Sequence, residues 1–73
     1  MERENLLKKF GLRLKEFRTQ KNISQEVLAD ICQLDRTYIS GLERGVRNPS
    51  LICVFKVAQG LGVSADKLVK ELD

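Results

Sequence analysis

With 73 residues, 42% hydrophobic and 32% charged, the chain has room for one small core and is too apolar to be disordered. No second domain or long linker is expected within residues 1–73, which are read as one compact all-α domain, since local helical contacts organise so short a chain most cheaply. Thirteen Lys and Arg against ten Asp and Glu leave a net charge of +3, which favours a polyanionic partner without proving one.

The two cysteines, Cys32 and Cys53, have apolar neighbours, and there is no CxxC and no histidine to complete a metal site. They read as buried, reduced thiols, and neither metal nor cofactor is expected. The N-terminus, MERENLLKKF, is charged from residue 2, unlike a signal peptide, and no apolar run approaches the roughly 18 residues that span a bilayer. A cytoplasmic protein without a membrane partner is expected.

Leu6, Phe10, Leu14 and Phe17 recur at helical spacing and predict a first helix from Leu6 to Gln20 with Asn5 as its N-cap. Its other face holds Lys8, Lys9 and Lys15, followed by Lys21, a pattern that suits solvent or a phosphate backbone equally. Ser24 predicts the cap of a second helix through Ile31, with Val27, Leu28 and Ile31 turned inward and Ala29 permitting close approach. Cys32, Gln33 and Leu34 are left as a turn. A third helix is expected from Asp35, again a good cap, to a stop at Gly45.

Pro49 forces a break, after which Ser50 caps a fourth helix over about residues 51–61. Leu51, Val54, Ala58 and Leu61 form one apolar stripe of that helix, Ile52 and Phe55 a second. Gly62 ends it, and Ser64 caps a fifth helix with an apolar stripe of Ala65, Leu68, Val69 and Leu72.

Two short helices joined by a tight turn over residues 24–45 form a helix-turn-helix. Placed about 100° apart around the third helix, Arg36, Thr37, Ser40, Gly41 and Arg44 share an arc of about 140°, opposite Ile39 and Leu42. One face packs, and the other offers guanidinium groups and hydroxyls to a DNA groove. Arg36 can reach guanine O6 and N7, and Thr37 a thymine methyl or a base edge, so these two are the first candidates for base reading.

Tyr38 and Arg47 complete the candidate base contacts. For Tyr38 a core ring with a surface hydroxyl is the competing reading, and for Arg47 a phosphate contact. Gln25, Ser40, Arg44, Asn48 and Ser50 are candidate backbone contacts, Gln25 through its place at the N-terminus of the second helix. Asp35 would repel phosphate, which argues for a capping role.

Through SQEVLAD, YISGLERG, RNPS and LGVS the chain resembles the Cro/repressor-type helix-turn-helix family from about Phe10 to Leu72, and DRTYISGLERGVRNPS is closer still to the controller proteins of restriction-modification systems. The resemblance implies a five-helix bundle of the lambda-repressor type and a homodimer on a palindromic double-stranded operator. It also implies activation or repression timing endonuclease expression, RNA polymerase being a candidate partner, and an ion pair between Arg18 and Glu43. Gln33 stands where the family typically has glycine. A left-handed backbone there would cost about 1 kcal/mol, or the turn has another shape.

Dimerisation is expected on physical grounds as well, because a half-site reader of this size contacts too few bases to be selective alone. Ile52 and Phe55, with Leu68 and Leu72 of the fifth helix, are the candidate interface, although a single core could absorb either pair. An antitoxin- or adaptor-like interaction module and a phage Cro-like repressor are the alternative functions. The polar arc on the third helix argues against a module that only binds protein, and the lack of a nucleophile with an evident base argues against an enzyme.

Overall fold

The computed structural model describes residues 2–73, which form α1 (Arg3–Gln20), α2 (Gln25–Cys32), α3 (Arg36–Arg44), α4 (Leu51–Leu61) and α5 (Ala65–Val69). Phe10 and Leu14 of α1, Leu28, Ala29 and Cys32 of α2, and Ile39 and Leu42 of α3 meet Cys53, Val57, Ala58 and Leu61 of α4 in one core. Leu68 and Leu72 close it from the C-terminal end. Both thiols are free and buried, and no helix among the described residues is long and apolar enough to cross a membrane.

α1 begins earlier than its apolar spacing predicts. Asn5 lies inside it, and Glu2 occupies the N-cap position without a side-chain cap, the first amides being left to solvent. Ser24 and Ser50 cap as expected, their hydroxyls accepting from the Val27 and Cys53 amides at 3.1 and 3.0 Å. Asp35 and Ser64 take the N-cap position in extended conformation but make no side-chain cap bond. Gly45 and Gly62 terminate α3 and α4 at φ of 76° and 71°.

Several apolar assignments are corrected. Val27 and Ile31 are 45% and 53% exposed, because α2 packs along Leu28, Ala29 and Cys32, a line centred roughly 100° or more around the helix from both. Leu51, at the mouth of α4, is likewise exposed, and Val69 is half out of the core. α5 is a single short turn and a half, so Leu72 reaches the core from beyond its end.

Gln33 resolves the question of the turn. It takes φ 58° and ψ 45°, and the Leu34 amide reaches back to the Ala29 carbonyl at 2.9 Å, closing α2 in the left-handed manner usual for glycine. The reversal between α2 and α3 therefore keeps its shape, with glutamine bearing the conformational cost.

Candidate nucleic-acid interface

α3 is held from behind by a charged cluster. Arg18 of α1 donates through Nε and Nη2 to the two carboxylate oxygens of Glu43, through Nη1 to the Ile23 carbonyl at 2.8 Å, and Glu43 Oε1 also accepts from Gln25 Nε2 at 3.0 Å. Glu43 is 8% exposed, and its hydrogen bond raises the affinity of the Arg18 guanidinium for its proton. The two-pronged pair ties α1, the α1–α2 connection, α2 and α3 into one unit. Gln25, expected to lie toward a phosphate, thus has its amide nitrogen engaged by Glu43. At Gly11 a Cβ would run into the Leu42 and Glu43 carbonyl oxygens, so α1 and α3 touch backbone to backbone there.

On the outer side of α3, Arg36, Thr37 and Arg44 are exposed and Ser40 is half-buried. Thr37, Tyr38, Arg47 and Ser50 line one depression between the start of α3, the 46–50 connection and the first turn of α4. Lys56 borders it too, a cation that spacing along α3 could not bring into view. Arg36 lines a separate hollow on the α2 side, beside Glu26 and Asp30. The candidate base readers are therefore divided between two flanks of one helix, and the exposed Asn48 lies on the connection between α3 and α4.

Tyr38 packs against the core, the competing reading of its ring. The ring is half-buried there, and burial first, then the neighbouring Cys53 side chain, pushes its pKa up to about 12. The Arg47 guanidinium lies over the same ring, 5.8 Å from its centre. Gly41, placed on the open arc by helical geometry, is instead buried. The atoms nearest to its missing side chain belong to Arg47.

Leu68 and Leu72 are 0% and 5% exposed and are used up within the core of one copy, which removes them from the expected dimer surface. Ile52 and Phe55 remain 71% and 57% exposed, next to the equally uncovered Leu51.

Residues 14–68 match the family model described as Helix-turn-helix. The chain belongs to this helix-turn-helix family. It is 41% identical over 66 residues to control protein C.MunI of Mycoplasma sp, an alignment covering 89% of each chain. The restriction-modification controller protein C.AhdI from Aeromonas hydrophila superposes with a TM-score of 0.84 at 50% identity, over 85% of this chain and 94% of that one. The C.Esp1396I controller tetramer, solved in complex with its natural 35 base-pair operator, superposes with a TM-score of 0.82 at 40% identity, over 92% and 88% of the two chains. The two solved relatives are restriction-modification controller proteins, the group that the string from Asp35 to Ser50 resembles.

Proposed function

We propose that the protein is a sequence-specific double-stranded DNA-binding transcriptional regulator, the controller of a restriction-modification system, acting as a homodimer on a palindromic operator. The observation that carries the reading is the outer face of α3: exposed basic and hydroxyl side chains on a helix braced from behind by Arg18 and Glu43. A helix so held can enter a major groove without losing its alignment to the domain. Arg36, Thr37, Tyr38 and Arg47 are assigned to base edges. The α2 N-terminus at Gln25, with Ser40, Arg44, Asn48 and Ser50, is assigned to the phosphates. A contact with RNA polymerase and action in the cytoplasm belong to the same proposal.

Selection of duplexes from a randomised pool, followed by titration of the enriched duplex and a scrambled control, tests it. Arg36→Ala is expected to weaken the enriched duplex by about 1–3 kcal/mol and the control far less. Equal losses on both would make Arg36 a phosphate contact. A wild-type protein that enriches no sequence would overturn the function.

A further inference from the structure

Glycine is the least favoured residue inside a helix after proline, yet Gly41 sits within α3, and it is not among the residues of positive φ. Its backbone conformation does not call for glycine, so the reason lies in the space its side chain would occupy. A Cβ there would fall 2.6 Å from Arg47 Cγ, 3.5 Å from Arg47 Nε and 3.6 Å from Arg47 Cβ. Gly41 is buried while Arg47 is exposed: the arginine stem lies across the glycine.

The chain is bent to make this contact. The Val46 amide donates to the Gly41 carbonyl at 3.0 Å and the Gly45 amide to Leu42 at 3.1 Å, with Gly45 at φ 76°, so the chain folds back over the last turn of α3. The guanidinium then rests 5.8 Å from the Tyr38 ring centre, and that ring is fixed by its own packing against the core.

We propose that Gly41 is a positioning residue, whose missing side chain seats Arg47 against α3 and so sets the base-edge contact that Arg47 makes. This rests on the assignment of Arg47 to DNA reading. A free arginine loses much rotamer freedom when it is fixed on a target. Here the stem is laid down on Gly41 and the head stopped by Tyr38 before DNA arrives, which removes part of that loss from binding. An alanine at 41 leaves the helix intact and lifts the stem off, because Cγ lies too near the backbone of Arg47 to yield without turning the whole side chain.

The test uses the full chain as wild type, Gly41→Ala, Arg47→Ala and the double variant, with the enriched duplex and its scrambled control as probes. In free wild-type protein, nuclear Overhauser contacts are expected from the Arg47 Cγ protons to Gly41 Hα and from the Arg47 side chain to the Tyr38 ring. Their absence overturns the proposal before any variant is made. Gly41→Ala is expected to melt at or above the wild-type temperature, lose the Tyr38 contacts, and lower the preference for the enriched duplex about ten-fold. Arg47→Ala should show a similar loss, and the double variant no more than Arg47→Ala alone. Full preference in Gly41→Ala, additive losses in the double variant, or an unaffected Arg47→Ala would each overturn the seat. A wild-type protein that does not distinguish the two duplexes overturns DNA reading itself.

Discussion

At the residue scale, Glu43 holds the interface together without facing DNA. Its carboxylate takes three hydrogen bonds, two from Arg18 and one from Gln25, and the ion-paired side chains are 3% and 11% exposed for Glu43 and Arg18. Glu43→Ala leaves a partly buried guanidinium without its counter-charge, and a loss of about 3 kcal/mol in urea denaturation is expected. Tyr38 gives a second residue-scale expectation, in alkaline solution. Its pKa is raised from 10.0 to about 12 in the folded protein, mainly by burial, so the folded state keeps a proton that the unfolded chain releases. The associated stability is fully present below pH about 10 and drains away as pH rises toward about 12. Denaturation midpoints of wild type and Tyr38→Phe should therefore diverge across that window, with the variant less sensitive. Parallel curves would remove Tyr38 as the cause.

At the element scale, the α2–α3 reversal sets how the recognition helix is presented, and Gln33 bears its strain. A non-glycine side chain at φ 58° is disfavoured, so Gln33→Gly is expected to stabilise the fold by about 0.5–1 kcal/mol, less whatever the freer unfolded chain takes back. Thermal melting checks this, and a lower melting temperature would mean that the entropy of the freer unfolded chain outweighs the relieved strain. The helices and their order were legible from Ser24, Gly45, Pro49, Ser50 and Gly62, because caps and breakers act through neighbouring backbone groups. The inward faces were less so. A short helix such as α2 turns its core-facing line according to the helices it meets, and Val27 and Ile31 lost that competition to Ala29 and Cys32.

At the scale of the whole molecule, one copy measures 32 × 22 × 21 Å and carries one recognition helix. Reading two half-sites a helical turn, about 34 Å, apart takes two copies, and the uncovered Ile52 and Phe55 on α4 are the surface proposed to join them. Sedimentation at micromolar concentration is expected to show a dimer, and Ile52→Glu with Phe55→Glu to give a folded monomer with weakened operator binding. A double variant that stays dimeric would place the interface elsewhere. Leu68 and Leu72 of the expected interface are taken up by the core for a reason of scale: a core this small must take the apolar side chains within its reach.

By itself, the sequence determined the all-α class, the turn between two short helices, the outward arc of Arg36, Thr37 and Arg44, and, through family resemblance, the pair of Arg18 and Glu43. All but the last follow from near-neighbour spacing, which helical geometry converts directly into direction. Only the tertiary structure decided that Gln25 turns to Glu43, that Leu68 and Leu72 belong to the core, and that Gly41 lies under Arg47. Those outcomes depend on which distant surfaces meet and which connection folds back, and a helical wheel, which knows only its own axis, carries no record of either.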